Sequence, residues 1–447
     1  MKGKAQIHTL LLISFVCTAV IISGCEDEMP EVREVSYFPV WRDAQPIQLV
    51  TLSHDSTLSN AENGAALKAA VQALTPGQRL EVGAGTYSVD SFFDIALVGT
   101  EANPIWIDAK YGERPVITRL DEQENCIHIG WDGPARYIAL RGFEIMGGGD
   151  LINLRDWGHV WIDGCLLHDG TGYGIRGEPG SEFYVTRNEI FRLVILNYPN
   201  KAGIGLPLVT NSVIALNHIY DITANFSHGI SVSGHSNWLV ENHIHNTSGY
   251  SMRVLGSREP SNVVEQNICY NAGSRTLDLF ENAIVRNNLL MNLTQRVLSA
   301  PIKGGDRGPI AYPNNLQVIH NTIIAGNQGI AAHLGGWGNG ENMVFSNNAV
   351  YSDSGNAVEI VSGFSGVNAS GNVFFGAAPG APVGSFINGT GLGDFVDISW
   401  DATTRDGTPS EGSVLIGAGD DHYAVRTDIS GSVRQSGTVV AGAFDRP

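Results

Sequence analysis

Val185-Thr-Arg-Asn188-Glu-Ile190, Ile214-Ala-Leu-Asn217-His-Ile219, Leu239-Val-Glu-Asn242-His-Ile244 and Val264-Glu-Gln-Asn267-Ile-Cys269 are four successive copies of one pattern. Each has an apolar residue, two variable residues, a pivot Asn, one variable residue and a second apolar residue. Upstream the pattern reads Leu140-Arg-Gly-Phe143-Glu-Ile145 and Ile162-Asp-Gly-Cys165-Leu-Leu167. Downstream it reads Ile284-Val-Arg-Asn287-Asn-Leu289, Val318-Ile-His-Asn321-Thr-Ile323, Val344-Phe-Ser-Asn347-Asn-Ala349 and Ala369-Ser-Gly-Asn372-Val-Phe374. Pivot 143 to pivot 372 is nine intervals, so the mean period is (372 − 143)/9, roughly 25 residues, which is a solenoid spacing.

That period holds two or three strands and their turns, too little for a βαβ unit, and the segments between pivots lack helical periodicity. The reading is all-β, with one coil per pivot. Coils stacked about 4.8 Å apart place each Asn over the next, where its amide both donates and accepts along a buried ladder. The flanking apolar positions stack into inward columns such as Ile190, Ile219, Ile244, Cys269 and Leu289, a face that no coil buries alone. Asn60 to Leu74 is Ala-rich with helical patterning, ends at Thr75-Pro76-Gly77, and is expected to cap the open end of the first coil.

With these pivots the chain resembles the right-handed parallel β-helices of the pectate lyase superfamily, in which an Asn ladder marks the turn between the second and third strands. The resemblance runs from about Leu58 to the C-terminus. Pro76 to Val82, Gly85-Thr86-Tyr87 and Asn103 to Ile107 resemble the opening coils of the chondroitinase B and alginate lyase type. Thr427 to Gly431 and Gly442-Ala443-Phe444 resemble the closing segment of secreted β-helix proteins.

The first residues read as a secretion signal, with Lys2 and Lys4, an apolar run from Leu10 to Ile22, and Ile22-Ser23-Gly24-Cys25. This tetrad resembles a bacterial lipobox, which implies lipidation at Cys25, membrane attachment through that lipid alone, and a mature chain on the outer membrane or cell surface. Glu26-Asp27-Glu28 resembles an export signal to the outer face. The expected organisation is signal 1–24, acidic tether 25–50 and a single β-helix domain 51–447. The net charge is −18, and removing the signal deletes two lysines and no acids, which excludes nucleic acid as a partner. Cys126, Cys165 and Cys269 show neither disulfide framework nor metal-ligand spacing and read as buried fillers. A monomer is expected.

Each coil has a further strand after the pivot, as in Gly203-Ile-Gly-Leu206, Gly229-Ile-Ser-Val232, Ser251-Met-Arg-Val254 and Thr276-Leu-Asp-Leu279. The superfamily uses this strand as the floor of its substrate groove. Alternation turns Ile230, Val232, Met252, Val254, Leu277 and Leu279 inward and leaves Ser231, Arg253 and Asp278 outward, so Arg253 and Asp278 should be neighbours one coil apart.

Uronate lyases need a base for the proton beside the carboxylate and a cation to neutralise that carboxylate. Arg253 lies where the chondroitinase B type carries an Arg. That type also has a Lys and acidic calcium ligands on the preceding strand, but here the segment is Ser227-His228-Gly-Ile-Ser-Val-Ser-Gly-His235. The resemblance therefore implies calcium while its ligands are not found, and no cofactor is assigned. His228, His235 and Lys201 are the candidate bases beside Arg253. Ser231, Asp278, Lys303 and Arg307 are candidate substrate contacts, the last two in the longest inter-pivot excursion.

His218 and His243 share the position after the pivot in adjacent coils, with no third ligand evident. With Tyr220, His245 and Tyr270 at the next outward position they read as an aromatic stack, and no metal is assigned. Glycoside hydrolysis needs two carboxyls roughly 5 to 9.5 Å apart, whereas the outward Asp278 and Glu359 should stand three coils, about 14 Å, from each other. Two functions follow: lyase-like β-elimination on a uronate-containing polysaccharide, or a non-catalytic glycan-binding or structural surface protein.

Overall fold

From Asn188 to Asn348 each coil turns on an asparagine whose amide reaches the next. In the computed structural model, which describes residues 36–194, 201–223, 226–293, 295–301, 303–305, 308–382, 386–435 and 437–446, the strands form a parallel β-helix. One 13-stranded sheet holds the strands that follow the pivots, and a 23-stranded sheet merges the groove strands with the strands that lead into the pivots. These are called below the post-pivot, groove and pre-pivot faces.

Asn188, Asn217, Asn242 and Asn267 form the ladder as expected. The side chain of Asn242 donates to Asn267 Oδ1 at 3.0 Å and to Ile214 O at 2.8 Å, and its Oδ1 accepts from Asn217 Nδ2 at 3.0 Å. Cys165 ends the row, its N–H donating to Asn188 Oδ1. Two pivots need correction. The ladder continues through Asn288 and Asn348, not Asn287 and Asn347: Asn267 Nδ2 donates to Asn288 Oδ1 at 2.9 Å, and Asn321 Nδ2 to Asn348 Oδ1 at 3.1 Å. The residue before each pivot takes a left-handed conformation, as at Arg187, Leu216, Glu241 and Gln266, and Asn287 and Asn347 take that place with φ 54° and 57°. The inward column accordingly passes from Cys269 to Leu290 rather than Leu289.

A second, shorter ladder joins the groove and pre-pivot strands. Asn237 Nδ2 donates to Asn262 Oδ1 at 2.9 Å, and Ser212 N–H donates to Asn237 Oδ1 at 3.1 Å.

The helix Asn60–Gln72 begins at a capping box in which Ser59 and Glu62 satisfy each other's backbone N–H. Leu67, Val71 and Leu74 are buried and continuous with the coil interior, so the helix closes the apolar column. Residues 36–50 belong to the domain rather than to a tether, correcting the expected boundary. The strand Gln48–Leu52 pairs with Gln78–Val82, and Trp41, 3% exposed, packs between Trp106 and Trp161. Cys25 and the signal lie outside the described residues. Cys126, Cys165 and Cys269 are free and buried, and burial pushes the Cys126 and Cys165 thiols up to about 12.

Candidate functional site

The groove face is built by alternation. Ile230, Val232, Met252, Val254, Leu277 and Leu279 are buried in the coil interior. The opposite parity stacks Ser231, Arg253, Asp278, Ser299, His333 and Glu359 in register, one per coil. The same stripe runs on through Gly205, Arg176 and Asn153 in the preceding coils. Three coil steps separate Asp278 from Glu359, so the two do not flank one glycosidic bond.

Arg253 and Asp278 meet as expected, with Nε 3.7 Å from Oδ2. Sequence reasoning missed a second cation: Arg275, in the turn before the strand, donates to the other oxygen of Asp278. One nearly buried carboxylate thus faces two guanidiniums. Arg275 also lies over the ring of Tyr250 at 5.4 Å.

His228 is fully buried and stacks on Tyr250, ring centres 4.7 Å apart and 5° from parallel. Its Nδ1 accepts the backbone N–H of Tyr250 at 3.0 Å, so a neutral ring carries its proton on Nε2. Burial first, and then the Arg253 charge, lower its pKa to about 4. Its one lone pair is committed to Tyr250, so in this arrangement the ring has no free acceptor for a substrate proton. His235 does not reach this site. It lies four residues, roughly 13 Å along the strand, beyond Ser231, with Nδ1 3.0 Å from Ser236 Oγ.

Lys201 adjoins Ala202, the register partner of His228, and the Lys201 carbonyl accepts the His228 N–H at 2.8 Å. Its Nζ is 3.9 Å from Asp150 Oδ1 and 5.7 Å from the ring centre of Tyr173. Arg176 reaches the other oxygen of Asp150 at 3.8 Å, so this carboxylate too serves two cations. Neither Asp150 nor Tyr173 was singled out in the sequence, since both lie in turns outside the alternating pattern. The excursion holding Lys303 forms an antiparallel pair of strands, Lys303–Gly305 with Gly308–Ala311. Arg307 lies outside the described residues.

The residues present do not fit calcium. The Asp278 oxygens are engaged by guanidiniums, Asp150 accepts from Asn153 Nδ2 and Tyr173 N–H, and among the described residues no three carboxylates converge. A recess of about 320 Å³ on the pre-pivot side is lined by Arg79, Asp108, Arg141 and Asp163. Arg141 and Arg79 pair with Asp108 there at 2.5 and 3.2 Å, which leaves its charges mutually satisfied.

Residues 129–268 match the family model described as a right handed beta helix region. No curated protein sequence matches the chain. Among solved structures it is similar to a pectate lyase at 16% identity and TM-score 0.50, over 91% of this chain and 98% of that one. It is also similar to a mannuronic-acid-specific polysaccharide lyase of family 6 from human gut microbiota, at 14% identity and TM-score 0.46 over 78% and 91% of the two chains. The surface protein and adhesin PfbA of Streptococcus pneumoniae matches at 11% identity and TM-score 0.44, over 76% and 100%. The chain is a right-handed parallel β-helix, the fold of the pectate lyase.

Proposed function

We propose that the chain is an exported, lipid-anchored protein that acts on a uronate-containing polysaccharide by lyase-like β-elimination, with its glycan along the outward stripe at Ser231 and Arg253 and Lys201 at the edge of the groove face. The observation that supports this is the excess of cation over anion at Asp278, where one carboxylate faces Arg253 and Arg275. In a chain of net charge −18, a surplus positive charge on the groove floor is a local counter-field for a uronate carboxylate.

Arg253 would neutralise that carboxylate and stabilise the carbanion-like transition state. Lys201, two coils away and four residues before the stripe position Gly205, would swing its amine from Asp150 toward the groove to take the proton from the carbon beside the carboxylate. The electron pair released forms the ring double bond as the glycosidic C–O bond breaks, and the departing oxygen takes a proton. His228 holds Tyr250 against Arg275 while remaining neutral beside Arg253. No step is routed through calcium.

The purified chain on alginate, pectate and glycosaminoglycans should generate the ultraviolet absorbance of an unsaturated uronate. Arg253→Ala should lower kcat/KM by roughly 100-fold or more, the size expected when a group that stabilises developing charge is lost. Lys201→Ala should lower kcat with KM nearly unchanged. A non-catalytic glycan-binding protein is the second reading, favoured by the ion pairs that already engage Arg253 and Lys201. Absorbance from none of the glycans, together with retained binding, would establish it instead.

A further inference from the structure

The post-pivot face, separate from the groove, carries a cluster that the mechanism does not use. His218 and His243 are register partners in adjacent coils, and His245 follows on the same side as His243. One ring nitrogen from each of the three lies within 4.8 Å of the others, and Nε2 of His218 is 3.0 Å from Nε2 of His245. The sequence placed His245 in the aromatic column, and it is there, sandwiched between Tyr220 and Tyr270 with ring centres 5.2 and 4.9 Å away. The same sandwich turns its edge toward His218 and supplies the third imidazole.

We infer that His218, His243 and His245 form a binding site for a divalent transition-metal ion, with an open coordination position for water or an exogenous ligand. Three imidazoles without carboxylate suit zinc, copper or nickel rather than calcium or magnesium. Zinc–nitrogen bonds of 2.0–2.1 Å place tetrahedral ligand nitrogens roughly 3.3 Å apart. The His218–His245 separation is 3.0 Å and all three lie within 4.8 Å, so side-chain rotation closes the triangle.

Two nitrogens facing each other at 3.0 Å share a single proton, which a metal ion would replace. Nε2 of His243 is buried with no hydrogen-bond partner among the described residues, a polar atom that a metal would satisfy. Outside the triangle, Tyr220 donates to Glu189 at 2.7 Å, which fixes the ring that backs His245. Arg405, 4.4 Å over the Tyr270 ring, is the cation that opposes the site, and Glu189 and Asp221 are the acids that offset it.

Isothermal titration of zinc chloride into the metal-stripped, untagged full chain tests this. One ion per chain is expected, with His243→Ala and His245→Ala each weakening binding at least tenfold and His235→Ala leaving it unchanged. Undetectable binding, or binding that both substitutions leave intact, would overturn the site. Where a variant fails to fold, copper loaded into the unsubstituted chain decides by its nitrogen hyperfine pattern: three imidazole nitrogens support the assignment and fewer than three refute it.

Discussion

At His228 a single buried ring links the groove to the pH dependence of the fold. Its pKa is lowered from the ordinary histidine range near 6.5 to about 4, by burial and then by Arg253. Between those values the unfolded chain binds a proton that the folded chain refuses. Stability contributed by the neutral ring is therefore full above about pH 6.5 and is lost as pH falls toward 4. At pH 5 the loss is about 2 kcal/mol. His228→Gln should shrink the drop in unfolding free energy between pH 7 and pH 5 by that amount, measured by denaturant titration against the unsubstituted chain. Equal drops in the two proteins would mean that His228 is not held neutral. At this scale the sequence revealed the partners that alternation places on the strands but not those in the turns. Alternation marked Arg253 and Asp278 as outward neighbours, whereas Arg275 and Asp150 sit in turns, where period-2 reasoning has nothing to say.

Along the turns the element that organises the coils is the amide ladder, and its weakness as a sequence signal has a physical source. Asn287-Asn288 and Asn347-Asn348 each offer two candidate pivots, and the usual tie-breaker, an apolar residue two positions on, fails at both. Leu290 and Val350 face the coil interior, yet Leu289 and Ala349 are also buried, in a separate cluster with Phe395, Leu415 and Val440 from the C-terminal region. With apolar surface on both sides of the strand, hydrophobic pattern cannot choose the phase, and only the left-handed residue before the pivot does. At Asn188, Asn217, Asn242, Asn267 and Asn321 no second asparagine adjoins the pivot, and there residue types alone give the phase. Asn267 is a test of what a rung contributes. It donates to Leu239 O and Asn288 Oδ1 and accepts from the backbone and side chain of Asn242. Asn267→Leu leaves buried donors on Asn242 and a buried carbonyl without partners, at a cost of about 3 kcal/mol or more. The expected result is a lower thermal midpoint with amide exchange accelerated first in Asn262–Glu265 and Ile268–Ala272, the strands on either side of the rung. Uniform acceleration across all coils would show instead that the ladder acts through the whole molecule.

For the folded domain the same displaced asparagines explain how the chain end closes over the post-pivot face. Asn287 Nδ2 donates to Thr427 O, Asn347 exchanges two hydrogen bonds with the Asp420 backbone, and Gln266 reaches Asp428 O. Arg434 ties these together. Its guanidinium donates to Asn287 Oδ1 at 2.9 Å and to the carbonyls of Thr427, Gly442 and Ala443, and burial lowers its pKa to about 10 against the opposing pull of Asp445 and Asp428. Arg434→Ala would leave several buried acceptors unpaired, at a cost on the order of 3 to 5 kcal/mol. Asn287→Ala should cost less, about 1 to 2 kcal/mol, because the turn keeps its backbone bonds. Since the two side chains share one hydrogen bond, the double variant should be less destabilised than the sum of the singles by at least about 0.5 kcal/mol. Hydrogen exchange at the Gly442 and Ala443 amides, which donate to Asn347 O and Thr322 Oγ1, reads the docking directly. Exchange there should rise with either substitution while the groove strand Met252–Gly256 stays protected. Strict additivity, or equal loss of protection in the groove strand, would mean that the C-terminal segment is not a separately docked cover but part of one cooperative unit with the coils.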